Sequence, residues 1–392
     1  MKRFLRFGAV VTVMLCAFLT QHAFAEVPQV ALASVAFSGG DSSVDQRFPF
    51  SQRYIKELRQ AGDLVDNRMR SAIAQTPPQN IQLLPGQIDD LKGRDQALVT
   101  SLVVTSETVS VESFGALRKL FVLIRGQALF FDFKSMTVIR AYPLSFAYID
   151  VLDHQPSDAE VLQRVKQVYE GAQGKPGIFA RYAGVLAKAT VPSQVPRFLK
   201  VTKVNLQPDV MNSLPAYLKD SPDVAQTWAA DLVGEAISTR VGVPIIPYIE
   251  GQAVGRVMKV QISDGDVYTL KLPPPDYEIT VDFSGLKKVK YSEGAAGASY
   301  IYGSFATIKI EEPQLGAVYL NTALKNGEVK VVPATQTYVD DFPAFYDSVN
   351  GLFHKLADAI SGKGNNWLKS ASTAPDIEAQ ILKTKELMNL CK

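Results

Sequence analysis

The sequence predicts an α+β protein built of two similar modules, each a mixed or largely antiparallel sheet packed against helices. Three observations predict it. Long β-branched and aromatic runs are joined by short turns in each half. Amphipathic stretches at helical spacing flank those runs. The same order of segments returns after Pro192 and Pro196, and Ala147-Tyr148-Ile149-Asp150 is answered by Thr337-Tyr338-Val339-Asp340, each just before a helix. A strand leaving for a helix often ends this way, so the repeat rests on the order of segments more than on these four residues. The expected boundaries are 1–25 for an export signal, 26–191 and 197–362 for the modules, and 363–392 for a linker and C-terminal helix.

Lys2, Arg3 and Arg6 precede an uncharged run from Phe7 to Leu19, and Ala23-Phe24-Ala25 offers a small-x-small cleavage site, the pattern of a secretory signal peptide. The run is shorter than the ~20 residues a bilayer span needs. Cys16 lies inside it, after Val13-Met14-Leu15, where a lipid-anchored cysteine would instead follow small residues. Without those three basic residues, the 41 Lys and Arg fall just below the 39 Asp and Glu, so the exported chain carries about −1 and nothing favours nucleic acid. It keeps one cysteine, Cys391, so no intramolecular disulfide is expected and stability must come from apolar burial, for which a 47% hydrophobic composition is ample.

The elements follow in order. Val30 to Phe37 is nearly all apolar, as in a strand buried on both faces. A helix capped by Ser51 and carrying Tyr54, Ile55, Leu58, Val65, Met69 and Ile73 should run to Pro77-Pro78, with Gly62 as its weak point. Ile81 to Leu84 reads as a short strand. Ala97 to Glu112, Leu120 to Phe133 and Met136 to Ile149 read as an antiparallel meander. Ser157 and Glu160 form a capping box, and a second helix runs from Ile178 to Ala189.

In the second half, Leu199 to Leu206 alternates as a strand, and Ser221 with Pro222 starts a helix through Ile237. Val243 to Ile249 reads as a strand interrupted by prolines. Six strand-like segments follow between Ala253 and Val332, then a helix from Phe342 to Ile360 stopped by Gly362, and a last helix from Ala374 to Leu390.

The order Val30 to Phe37, Ser51 to Ala74, Ile81 to Leu84, Ala97 to Val111, then Leu129 to Tyr142 turning at Asp132 to Thr137, resembles the α/β modules of the curli-secretion lipoprotein family and the amino-terminal domain of the Tol-system beta-propeller protein. The resemblance implies a periplasmic module that binds other envelope proteins or glycans, and it transfers no catalytic residue. The lipidated cysteine of the curli-type pore families has no counterpart here.

Reactive chemistry is sparse. His154 lies in a polar loop and His354 on the C-terminal amphipathic helix, far apart for a shared metal or triad. No HExxH, cysteine pair or Gly-x-Ser-x-Gly is present. Of the acidic pairs, Asp264 with Asp266 fits a hairpin turn and Asp340-Asp341 the charge of a helix start, while Asp89-Asp90 and Glu311-Glu312 have no partner that sequence can place. Gly294 to Ser299 lacks the Lys and helix of a phosphate loop and reads as a mobile surface loop. Two candidate surfaces remain. Lys287, Lys288 and Lys290 can meet an anionic partner or protect a strand edge. Phe131, Phe133 and Tyr142, in a run with Phe130, Phe146 and Tyr148, can line an apolar pocket or a core.

The expectation is a non-enzymatic periplasmic binding or scaffolding protein of an envelope assembly or export system, partnered by envelope proteins or glycans, peripheral to a membrane at most, and without a cofactor. The alternatives are a carrier of an apolar or lipid ligand and a glycan-acting enzyme with a carboxylate site.

Overall fold

The computed structural model describes residues 27–39, 43–85, 97–114, 116–172, 174–191, 197–219, 222–248, 257–263, 265–336 and 339–392. The 1–25 signal, Asp89 and Asp90, Pro192 and Pro196, Ser221, Asp264, and Thr337 with Tyr338 lie outside the described residues.

The fold is α+β. The first half runs β1 (Gln29–Ser38), α1 (Ser43–Arg47), α2 (Pro49–Gln60), α3 (Val65–Gln75), β2 (Gln82–Leu84), β3 (Leu98–Phe114), β4 (Leu117–Asp132), β5 (Thr137–Leu152), α4 (Asp158–Glu170), β6 (Gly171–Ala172), β7 (Lys175–Pro176) and α5 (Ile178–Leu186). The second runs β8 (Leu199–Leu206), α6 (Pro208–Ser213), α7 (Ala216–Lys219), α8 (Pro222–Val241), β9 (Val257–Ile262), β10 (Val267–Lys271), β11 (Tyr277–Gly294), β12 (Gly297–Glu312), β13 (Ala317–Pro333), α9 (Phe342–Ile360), α10 (Asn365–Ala371) and α11 (Ile377–Leu390).

In each half the first strand lies parallel to the first strand of an antiparallel meander, reached through helices. β1 pairs with β3 in the order β1-β3-β4-β5, and β8 pairs with β11 in the order β8-β11-β12-β13. The long helix after each meander, α4 or α9, packs on the strands that precede it.

The sheets differ in how they end. The β9-β10 hairpin falls within 197–362 in sequence, yet it hydrogen-bonds into the first sheet. β9 runs antiparallel to the end of β1, with Ala36 opposite Ile262 and Ser38 opposite Val260, and β10 meets β5 at Lys271 and Thr137. Strands β1-β3-β4-β5-β10-β9 therefore close on themselves, with β2 paired to Gln29–Ala31 at the start of β1, on the edge that β9 joins at its end. The pattern of β1 explains how so few strands close. Val30, Leu32, Val35 and Phe37 join the core under α2 to α5, while Ala31, Ala33 and Ala36 join Val99, Leu129, Phe131, Val260 and Leu270 inside the ring. A six-stranded ring is narrow, and the alanines of β1 leave room in it for larger side chains such as Leu129 and Phe131.

The second sheet packs one face on α8, α9 and α11 through Phe283, Tyr302, Leu320, Val349 and Phe353. α8 is apolar nearly all round because it lies between the two sheets, touching both β5 and β8.

Several local expectations are corrected. The stretch around Gly62 is two helices, since Gly62 takes φ 75°, a conformation that ends a helix. Ser51 does not cap α2. The helix begins two residues earlier at Pro49, and the Glu107 carboxylate accepts from the Phe50 and Ser51 amides at 2.9 and 2.7 Å, leaving the buried Ser51 hydroxyl to accept from Tyr169. Among the described residues of Val243 to Ile249, which end at Tyr248, a single bridge forms, Ile246 to Lys200, because Pro244 and Pro247 carry no amide hydrogen for a ladder. Gly294 to Ser299 is a tight hairpin end in which Gly294 faces Gly297, and β13 runs unbroken through Lys325-Asn326-Gly327. The linker after Gly362 contains α10. Cys391 is buried against the second core and its thiol is pushed up to about 12 by burial first, then by Asp276, so it is closed to pairing between folded chains.

Candidate functional site

The second meander outgrows its helical layer. β11, β12 and β13 are 18, 16 and 17 residues long, and their shared hairpin end, beyond Tyr302, extends past the buried core. Strand alternation sorts the side chains there. On the face turned to α9 lie the rows Lys288-Tyr302-Glu328 and Lys290-Tyr300-Lys330, and on the outer face Val289-Ile301-Val329 followed by Ser299-Val331. An extra residue in β11 at this level turns out Tyr291. Val289, Tyr291, Val329 and Val331 are 56%, 70%, 58% and 68% exposed. Lower on the same outer face the rows become polar, with Asp282-Thr307-Ala323 and Thr280-Lys309-Asn321. Four exposed apolar residues are thus gathered at one end of this face, while Val318, 47% exposed, lies at the other.

The three lysines do not form one patch. Lys287 lies on the outer face with its Nζ 5.6 Å from the centre of the Phe305 ring. Lys288 lies on the other face, where Asp341 accepts from its Nζ at 2.7 Å and the Tyr300 ring centre is 4.5 Å away. Burial alone would lower the Lys288 pKa, but the bonds to Asp341 and Tyr302 raise it. Tyr302 donates to the same Asp341 oxygen at 2.6 Å, and burial followed by that bond pushes it up to about 12. Lys290 pairs with Glu293 at 2.8 Å. Two of the three charges are therefore neutralised locally.

The aromatic candidates are separated as well. Phe131 is buried inside the ring, Tyr142 is buried on the opposite face against Phe130, with ring centres 6.1 Å apart, and Phe133 sits beside Tyr268 at 6.0 Å. Strand alternation sends neighbours to opposite faces, so this run fills two cores and lines no shared pocket.

His154 and His354 lie on separate elements, each in its own local surroundings. His154 contacts Asp153 and Glu160 at 2.8 and 2.9 Å, which raises its pKa, and His354 is half-buried with its pKa lowered by burial. Among the described residues no group of three His, Cys, Asp or Glu side chains could hold a metal ion. No described helix is long and apolar enough to cross a membrane.

Sequence reasoning missed one site, the mouth of the closed ring. A cavity of about 320 Å³ opens there between the ends of β1 and β9, β3, β4 and the first turns of α8. Asp223, Thr227 and Asp231, each four residues apart, bring one polar stripe of α8 to it. That spacing on an otherwise apolar helix was the available signal.

No family model matches the sequence, and no curated protein matches it significantly. Among solved structures, a candidate lipoprotein from Caulobacter crescentus is similar at 12% identity, over 36% of this chain and 84% of that one, with a TM-score of 0.21. A minor lipoprotein from Acinetobacter baumannii matches at 10% identity over 46% and 98%, with a TM-score of 0.22. A candidate homologue of the neuraminyllactose-binding hemagglutinin from Helicobacter pylori matches at 10% identity over 44% and 87%, with a TM-score of 0.25. Likenesses this slight carry no functional argument.

Proposed function

We propose that the protein is a non-enzymatic binding or scaffolding component of the cell envelope, exported to the periplasm and engaging a partner protein through the distal outer face of β11-β12-β13. The carrying observation is the clustering of Val289, Tyr291, Val329 and Val331, each more than half exposed, at one end of that face. Scattered surface valines are ordinary, whereas a contiguous group on a projecting sheet is the usual form of a protein contact. The signal pattern of residues 1–25 and the segment order shared with the curli-secretion and Tol-system modules support the compartment. The scattered aromatic run withdraws the basis of a lipid-carrier reading, since Phe131 and Tyr142 face different cores.

The test places a photo-crosslinking amino acid at Val331 in cells, with a second probe at Asp282 on the polar part of the face. Crosslinks to an envelope protein from Val331 alone, abolished by V329E, are expected. Recovery of no envelope protein from Val331, or equal recovery from both positions, overturns the proposal.

A further inference from the structure

We propose that the mouth of the six-stranded ring is a binding site for a neutral saccharide unit. It lies on the first sheet and α8, separate from the face assigned above to a protein partner. The cavity, about 320 Å³, is at the lower end of the ~300–1,000 Å³ range of ligand pockets.

Its polar groups restrict the ligand. Gln127, on the inward face of β4 between Arg125 and Leu129, lines the cavity with only 4% of its surface exposed, and its Oε1 has no hydrogen-bond partner. Buried polar atoms are nearly always paired, so the orphaned Gln127 acceptor on the cavity wall marks a place where something else supplies a donor. A carboxylate or phosphate can only accept and does not meet that need, whereas a hydroxyl or an ammonium group donates.

Charge separates these two. Asp231 is already paired with Arg125 at 3.1 Å, which leaves Asp223 against Arg47 and Lys259, an excess of positive charge that disfavours a cation. Arg47 is also committed to the wall, donating to the Ser38 carbonyl at 2.8 Å and to the Thr105 carbonyl at 3.3 Å. Pro247 and Tyr248 supply an apolar side, which suits the C–H face of a sugar ring packed on one wall while its hydroxyls meet the other.

The test is calorimetric titration of the full chain with N,N′-diacetylchitobiose, lactose and maltose as neutral probes, and spermidine and citrate as charged ones. Saturable binding of at least one neutral sugar is expected, weakened tenfold or more in Q127L. The melting temperature of Q127L should equal or exceed that of the unaltered chain, because the substitution removes an orphaned buried acceptor, and a general loss of structure would do the opposite. Should Q127L fail to fold, D223N on the exposed rim of α8 should still weaken the sugar threefold or more. Binding of spermidine or citrate alone, binding of no probe, which would leave the cavity to water, or sugar binding unchanged in the variants overturns the proposal.

Discussion

Arg125 and Asp231 meet at 3.1 Å between the two halves of the chain, the guanidinium from β4 and the carboxylate from α8, both largely out of water. The same guanidinium donates to the Trp228 carbonyl at 3.3 Å. Beside it, Phe121 stacks on Tyr217 at 5.6 Å, and Lys119 of β4 pairs with Asp340 at the start of α9. The halves are thus joined by ion pairs set in an aromatic contact.

A buried ion pair costs most when half of it is removed. R125M or D231L alone should destabilise the protein by ~3–5 kcal/mol, since either leaves an uncompensated buried charge, whereas the double variant should lose far less. Urea unfolding of the two singles and the double gives the coupling directly.

Glu235, one turn beyond Asp231, receives the Ser145 hydroxyl at 2.5 Å and lies 3.3 Å from Arg181. Burial raises its pKa above the ordinary 4.5 and outweighs those two partners. A carboxyl with a raised folded pKa binds its proton more tightly in the native state. Its contribution is therefore full at low pH and declines as pH rises through the folded value. Unfolding free energy measured from pH 4.5 upward should carry this decline, and E235Q should remove it.

The Ser157-Glu160 capping box is complete, with the Ser157 amide donating to Glu160 at 2.8 Å and the Glu160 amide donating back at 3.4 Å. S157A should cost about 1 kcal/mol. A lower midpoint in chemical denaturation, with an unchanged slope, would show it.

Cys391 should resist thiol reagents in the native protein and react promptly in denaturant. Burial withholds both the sulfur and its thiolate form. A colorimetric thiol assay with and without guanidinium reads both rates, and rapid labelling of the native chain would contradict the burial.

Much of the fold was legible where local chemistry decides it. The Val30 to Phe37 run announced a strand covered on both faces, and the ring closure is why both are covered. Ser157 and Glu160 announced their helix, and Lys134-Ser135 their turn, which Asp132 closes by accepting from the Ser135 amide at 2.6 Å. What stayed hidden was non-local. Nothing in Val257 to Lys271 says which edge it will join, because period-two alternation fixes a face and no partner. The Lys287 to Lys290 cluster misled for a related reason, since neighbours along a strand point to opposite sides. At the ring mouth, the orphaned Gln127 oxygen is a fact of three-dimensional packing that no motif carries.

The stitch made by Val257 to Lys271 bears on biogenesis. A ribosome or translocon that has delivered only the first meander has produced a cylinder with a missing stave: the rims of β1 and β5 stay open, and alanines meant for a dry interior face solvent. Until the hairpin arrives, more than a hundred residues later than β5, the nascent chain is a target for holdases and for wrong edge-to-edge pairing. Amino-terminal fragments ending before Val257 should be insoluble for that reason, and adding the hairpin in trans is the natural way to rescue them.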